Sequence, residues 1–215
     1  MSAKLIWITP DADKVIGYCA RVSNPANQDN PDITGLLRYM ERNGHVSPFE
    51  MASACLEITT TRDIGRQILR HRSFSFQEFS GRYQTYDTIE TAPLRECRMQ
   101  DKTNRQSSLT CEDPVITDRW ARLQREIYEQ ANAYYRSALI AGIAKEVARA
   151  LLPEGLTTTR MYMSGTLRSW IHYLRSRLDV STQKEHRQIA QEVLTLLTDA
   201  APLTMAAFFD PNRDG

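Results

Sequence analysis

The spacing of the apolar residues limits the folds open to this chain, because it changes several times between a strand period and a helix period. Residues 4–9 and 52–61 alternate apolar and polar side chains, and residues 156–165 are rich in β-branched ones, which predicts three strands. No internal repeat, linker or low-complexity segment divides the chain. We therefore predict one α+β domain over residues 1–215, with a central, mostly antiparallel sheet flanked by helices.

The helical segments are marked by apolar residues three and four positions apart. Four residues from Ile33 to Met40 follow this spacing, and Gly44 marks the end of their helix. The other predicted helices cover residues 11–23, 61–72, 117–142, 144–153, 167–179 and 184–201. Residues 84–116 have no convincing period and are predicted to form a long loop.

The composition narrows the class of protein. Hydrophobic residues make up 41% and charged residues 25% of the 215 residues, as in ordinary globular proteins. Lys and Arg number 27 against 26 Asp and Glu, whereas a general nucleic-acid-binding domain carries a basic excess. No segment reaches the roughly 18 apolar residues of a membrane span, and the first residues lack a signal-peptide core. We expect a cytoplasmic protein without membrane or nucleic-acid partners.

The four cysteines, Cys19, Cys55, Cys97 and Cys111, form no Cys-x-x-Cys pair and have no histidines at metal-ligand spacing. A chain of this size also has enough residues to build a core without disulfides. We predict free thiols and no metal site.

One motif, RHRSFSFQEFSGRY at residues 70–83, concentrates three arginines and one histidine. These cations repel one another unless an anion lies nearby. On the helix leading into the motif, Gln67, Arg70 and His71 are predicted to share a face. Arginine forks and the backbone amides of a turn containing Gly and Ser suit a phosphate or the carbonyl edge of uracil. The alternative is a charged helix end followed by a surface loop.

The segment LRSWIHYLRSRLD, residues 167–179, combines an apolar stripe, which we expect in the core, with cations on two sides. Arg168, His172 and Arg175 fall on one neighbouring face, and Arg177 projects to nearly the opposite side. We predict that Arg168 and His172 serve a different pocket from Arg177, with the pockets shared between subunits.

A third motif, GHVSPFE at residues 44–50, places His45, Ser47 and Glu50 around a proline. By itself it also fits a plain connection between a helix and a strand. No Gly-x-Gly-x-x-Gly follows a strand, and the chain has neither a phosphate-binding lysine loop nor a Gly-x-Ser-x-Gly turn. A nucleotide cofactor would therefore bind through another architecture.

Together these motifs resemble the flavin-dependent thymidylate synthases. The family signature is Arg-His-Arg, seven residues and then Ser, and here Arg70 to Arg72 are followed by Ser80. GHVSPFE, AKEVARALLP (144–153) and LRSWIHYLRSR resemble further elements of the family, and the similarity runs from about residue 17 to about residue 190. Three positions depart from the family pattern, namely Gln77, Thr166 and Ser181.

The resemblance implies a homotetramer with FAD that converts dUMP to dTMP, with methylenetetrahydrofolate as carbon donor and NADPH as reductant. The residues implied to hold FAD are His45, Ser47, Glu50, Arg70, His71, Arg72, Glu78, Arg168 and His172. The residues implied to hold dUMP are Gln67, Arg70, Glu78, Ser80, Gly81, Arg82, Tyr83, Arg149 and Arg177. Among them Arg177, Ser80 and Arg82 are implied to act in catalysis, the arginines on charge developing on uracil and the serine on substrate position.

No cysteine lies in the arginine-rich segment, so an enzyme thiol is not expected to attack uracil. Ser80 has no evident base beside it, which argues against a serine nucleophile. The alternative function is a non-catalytic nucleotide or single-stranded nucleic-acid binding module, because arginines interleaved with aromatic residues suit base stacking.

Overall fold

The computed structural model describes residues 1–86 and 93–210. Its strands are β1 (Ser2–Ile8), β2 (Ser53–Thr61), β3 (Ser75–Glu78), β4 (Arg98–Gln100), β5 (Ser108–Thr110) and β6 (Thr158–Thr166). Its helices are α1 (Ala12–Ala20), α2 (Thr34–Arg42), α3 (Arg62–Ile68), α4 (Pro114–Ile140), α5 (Lys145–Ala148), α6 (Leu167–Arg177), α7 (Lys184–Ala200) and α8 (Pro202–Phe209). Within the described ranges, no helix is both long and apolar enough to cross a bilayer.

The central sheet has the strand order β1-β2-β6-β3, and each neighbouring pair is antiparallel. The two inner strands, β2 and β6, pair over their whole length, from Ser53 opposite Thr166 to Thr61 opposite Thr158. Their β-branched residues favour this extended, half-buried surface. The predicted α+β fold, with its antiparallel sheet and its long helices after residue 117, is confirmed.

The side chains of the inner strands alternate between the core and the other face of the sheet. Leu56 and Ile58 of β2 stand opposite Met163 and Met161 of β6, and all four are fully buried. Tyr162, between the two methionines, is 40% exposed. Helices α6 and α7 therefore have one apolar sheet face to pack on.

Helix α3 ends at Ile68, earlier than the predicted end at residue 72. The cause is tertiary, because β3 must begin at Ser75 to pair with Ser164 of β6, and the chain has to leave the helix to reach it. Arg70 and His71 consequently lie in the connection, and the prediction that they share a helical face with Gln67 is wrong.

The region predicted as a long loop contains a hairpin in its described part, with β4 paired to β5. Residues 87–92 of that region lie outside the described residues. Helix α4 begins at Pro114 because the side chain of Asp113 caps it, accepting hydrogen bonds from the amides of Val115 (2.8 Å) and Ile116 (3.3 Å). Helix α8 follows α7 directly and was not predicted.

The apolar stripe of α4 remains largely exposed in this chain. Trp120, Leu123, Ile127 and Tyr134 are between 39% and 57% exposed. An apolar stripe along one helix that residues 1–86 and 93–210 leave uncovered is unusual for a monomeric protein.

Candidate active site

A cavity of about 460 Å³ lies between the start of α6 and the short 3-10 turn Ser47–Glu50. Its rim carries the ion pair between Glu50 and Arg168, together with His172 and Arg175. Its apolar lining residues are Val46, Phe49, Ile171 and Phe208. All three residues that the helical spacing places on one face of α6 therefore meet the GHVSPFE motif here.

His45 and Ser47, the other two residues predicted from the GHVSPFE motif, are absent from the described lining of this cavity, although Val46 between them belongs to it. His45 follows Gly44, whose φ of +67° suits the left-handed turn that ends α2. Its ring lies edge-on to Tyr39, with 5.9 Å between the ring centroids. His45 and Ser47 are both exposed.

The N-terminal half of helix α6 is held in place by a cap and by a buried hydrogen bond to the sheet. The hydroxyl of Thr166, at a position that departs from the family pattern, caps the helix by accepting from the amide of Ser169 at 3.2 Å. Trp170 is fully buried and donates to the carbonyl of Ala54 on β2 at 3.2 Å. This packing fixes which way Arg168 and Arg177 point.

The middle residue of the Arg-His-Arg motif contacts the far end of α6. Arg177 Nε donates to His71 Nε2 at 2.9 Å, so the imidazole accepts through Nε2 and carries its proton on Nδ1. Burial, and then the nearby charge of Arg177, lower the pKa of His71 to about 4, which keeps the ring neutral. Arg70 and Arg72, on either side, are exposed.

Behind His71 lies a polar cluster formed by two buried residues, Glu185 and His186, and two half-buried ones, Gln67 and Gln183; sequence reasoning found only Gln67. Gln67 Nε2 donates to Gln183 Oε1 at 2.8 Å, and Gln67 Oε1 lies 3.3 Å from His186 Nδ1. His186 is fully buried, and burial is the main cause that lowers its pKa to about 3.

The ionised carboxylate of Glu185 lies at the end of this cluster. Burial would raise the pKa of Glu185, but hydrogen bonds, chiefly from Arg98, outweigh it and hold the pKa at about 2. Arg98 lies 2.7 Å from one carboxylate oxygen, and Arg95 lies 3.3 Å from the other. Glu185 and His186 share the spacing of the buried apolar residues of α7, and this signal could have revealed them.

The turn after β3 holds another group of predicted residues. Ser80 Oγ accepts from the amide of Arg82 at 3.4 Å, and the Ser80 carbonyl accepts from Tyr83 at 3.0 Å. The ring of Tyr86 packs directly against the backbone of Gly81, where a Cβ atom would lie only 2.5 Å from the ring. Just before this turn, Glu78 accepts from the Thr159 hydroxyl at 2.8 Å.

Arg82 lines a second cavity of about 530 Å³ with Lys145, whose Nζ donates to the Tyr83 carbonyl at 3.0 Å. Arg149 lines a third cavity of about 360 Å³ with Arg62. The residues predicted to act in catalysis are therefore divided, because Arg177 contacts His71 while Ser80 and Arg82 lie in the turn after β3. Arg177 is also absent from the described lining of the cavity that holds Arg168 and His172.

All four cysteines are free, as predicted. None belongs to the described lining of the cavities with Glu50, Arg82 or Arg149. Among the described residues, no group of three or more His, Cys, Asp or Glu could hold a metal ion.

A family model described as thymidylate synthase complementing protein matches residues 4–203, nearly the whole chain. The chain belongs to this family. The flavin-dependent thymidylate synthase of Synechocystis sp. is 50% identical over 193 residues, covering 90% of this chain and 87% of that protein. The probable flavin-dependent thymidylate synthase of Paramecium bursaria Chlorella virus 1 is 48% identical over 198 residues, covering 88% of this chain and 90% of that protein.

Solved structures extend the family relationship to the fold. The UMP/dUMP methylase PolB from Streptomyces cacaoi, bound with 5-Br dUMP, superimposes with a TM-score of 0.83 at 27% identity. The match covers 99% of this chain and 96% of that one. The family resemblance drawn from the Arg-His-Arg motif is confirmed, whereas the roles of individual site residues stay predictions.

Proposed function

We propose that this chain is a flavin-dependent thymidylate synthase that converts dUMP to dTMP, with FAD as cofactor, methylenetetrahydrofolate as carbon donor and NADPH as reductant. The observation that carries the proposal is the meeting of Glu50, Arg168 and His172 around one cavity beside the Arg-His-Arg motif. The names of the relatives, and the 5-Br dUMP bound by the PolB structure, support the same reaction.

The residues around this cavity fit FAD. The apolar side chains of Phe49 and Ile171 suit a planar ring. The rim arginines Arg168 and Arg175, which are paired with Glu50 and Glu41 in this structure, suit a diphosphate. The exposed guanidiniums of Arg70 and Arg72 have no acidic partner within the described part of the chain, so they are available for bidentate phosphate binding. Bound FAD would supply the hydride chemistry that no side chain provides.

For the nucleotide, Arg177 is the best-placed residue to act on the uracil ring. His71 engages Nε and thereby holds the plane of the guanidinium. The terminal N–H groups would then face uracil carbonyl oxygens and stabilise negative charge that develops on the ring. Arg82 and Lys145, which line one cavity, would bind the phosphate.

The chain would work without a nucleophile of its own. No thiol is among the described lining residues of the cavities with Glu50, Arg82 or Arg149, and Ser80 is hydrogen-bonded within its own turn rather than to a base. Ser80 would instead orient the nucleotide, so that the side chains bind, polarise and exclude water while the cofactor carries the chemistry.

We further propose a homotetramer whose active sites combine residues of different subunits. Arg82, Arg149 and Arg168 line three separate cavities of one chain, so one subunit alone does not bring them around a single ligand. The exposed apolar stripe of α4 offers a surface for subunit contact.

The proposal is tested by the flavin spectrum of the purified protein and by NADPH oxidation with and without dUMP. We expect a flavin-loaded protein whose NADPH oxidation with methylenetetrahydrofolate yields dTMP only when dUMP is present. UMP in place of dUMP tests whether a different uracil nucleotide is the acceptor. A protein that takes up no FAD and shifts a single-stranded oligonucleotide would support the non-catalytic binding module instead.

A pair of variants separates the two binding roles. Arg82→Ala should keep the flavin spectrum and weaken dUMP affinity by roughly 30- to 1000-fold, because a charged contact of about 2–4 kcal/mol is lost. His172→Ala should do the reverse and lose flavin, with dUMP affinity falling only as far as the flavin forms part of the uracil pocket. Loss of flavin from Arg82→Ala with unchanged dUMP affinity would show that the assignment of these residues is wrong.

A further inference from the structure

A chain of hydrogen bonds runs from a buried carboxylate to the side chain of Gln67. Glu185 Oε2 accepts from Gln183 Nε2 at 3.0 Å, and Gln183 Oε1 accepts from Gln67 Nε2 at 2.8 Å. Gln67 Oε1 lies 3.3 Å from His186 Nδ1. These four residues connect the start of α7 to the last turn of α3.

The direction of each bond in this chain follows from the charge at its end. An ionised carboxylate only accepts hydrogen bonds, so the side chain of Gln183 must present its NH₂ group to Glu185. Its carbonyl oxygen then faces Gln67, which must present its own NH₂ group in return. The remaining oxygen of Gln67 therefore faces His186, whose Nδ1 must carry the proton.

The surroundings keep this arrangement from reversing. Glu185 and His186 are 4% and 0% exposed, so bulk water does not reach these two ends of the chain of hydrogen bonds. Arg95 and Arg98 contact Glu185 and hold the carboxylate ionised. The Nε2 atom of His186 has no hydrogen-bond partner among the described residues, which fits a ring that is retained for its Nδ1 donor.

We propose that Glu185, Gln183 and His186 are positioning residues that fix the direction of the Gln67 amide before the nucleotide binds. The inference rests on the proposed function and on the contact between Gln67 and dUMP that the family resemblance implies. An amide fixed in this way offers the nucleotide one N–H and one oxygen lone pair at set positions. In the reversed orientation, the donor and the acceptor would exchange places and mismatch the uracil edge.

Two substitutions of His186 separate the effect of its Nδ1 hydrogen-bond donor from the effect of its ring volume. His186→Phe keeps a ring in the core, removes the Nδ1 donor and also removes the unpaired Nε2. We expect the dissociation constant of dUMP, titrated against the flavin-loaded protein, to rise about three- to tenfold, with kcat at saturating dUMP changed less than KM. The melting temperature should change little, because the substitution removes the unpaired Nε2 while it leaves Gln67 Oε1 without its donor, and these two effects oppose each other.

His186→Asn should give the opposite result, because its side-chain NH₂ can take the place of Nδ1–H while the ring volume is lost. We expect dUMP affinity within about twofold of the wild type and a lower melting temperature. Val193→Ala, two turns further along α7, is the matched control. It should lower stability and leave dUMP affinity unchanged.

The results for these variants distinguish failure of this inference from failure of the proposed function. Wild-type dUMP affinity in His186→Phe would overturn the proposal that this chain of hydrogen bonds orients Gln67. An equal loss of affinity in His186→Phe and His186→Asn would overturn it as well. If His186→Phe does not fold, Gln183→Met removes the hydrogen bond between Gln183 and Gln67 at a half-buried position. Unchanged dUMP affinity in Gln183→Met would then overturn the proposal. If the flavin-loaded wild type does not bind dUMP, the proposed function itself fails.

Discussion

Mild acid should destabilise this protein through His71 and His186. Both pKa values, about 4 and about 3, lie below the ordinary 6.5, and burial is the main cause for each. As the pH falls, the unfolded chain therefore binds protons before the folded one does. The contribution of these two histidines to the unfolding free energy is full above about pH 6.5 and declines as the pH falls toward their folded-state pKa values. Between about pH 6.5 and about pH 5.5, a histidine that stays neutral when folded costs about 1 kcal/mol of unfolding free energy.

For the two rings together we expect a loss of about 1–2 kcal/mol, with the smaller share from His71 because it is only partly buried. Glu185 does not contribute in this range. Burial would raise its pKa, but hydrogen bonds led by that from Arg98 hold it at about 2, so its share of stability is lost only below about pH 4.5.

Equilibrium urea unfolding near pH 6.5 and near pH 5.5, at one protein concentration, measures this loss. The control is His186→Phe, which should reduce the loss by half or more because the larger contribution is gone. An equal loss in the wild type and in His186→Phe would refute the reasoning, and so would a wild type whose unfolding free energy does not change between the two pH values.

Two further predictions concern groups outside the site. Replacing Cys19, Cys55, Cys97 and Cys111 together by Ser should leave the rate of dTMP synthesis within about tenfold of the wild type. The only expected loss is in stability, roughly 1 kcal/mol per buried thiol. A variant that is folded and flavin-loaded but inactive would point to a thiol nucleophile. Asp113→Ala should lower the unfolding free energy by about 1 kcal/mol through loss of the α4 cap, whereas Asp113→Ser should retain most of it, and equal values for the two variants would exclude a capping role.

Much of this protein could be predicted from local patterns in the sequence. The inner strand β2 and the helix α6 followed from the spacing of their apolar residues, because burial of one face imposes a period that a short window shows, and the inner strand β6 followed from its β-branched residues. The same spacing placed Arg168 and His172 together and Arg177 elsewhere. The resemblance carried by the Arg-His-Arg motif predicted the family, since the motif lies in one continuous segment.

The tertiary structure decided what depends on neighbours far along the chain. Helix α3 stops at Ile68 because β3 has to reach β6, and no local signal marks that demand. Glu185 meets Arg98, and Gln67 meets His186, across 87 and 119 residues of sequence. The protonation of these groups depends on their burial and on the charges beside them, and both arise only when α3, α7 and the β4–β5 hairpin pack together.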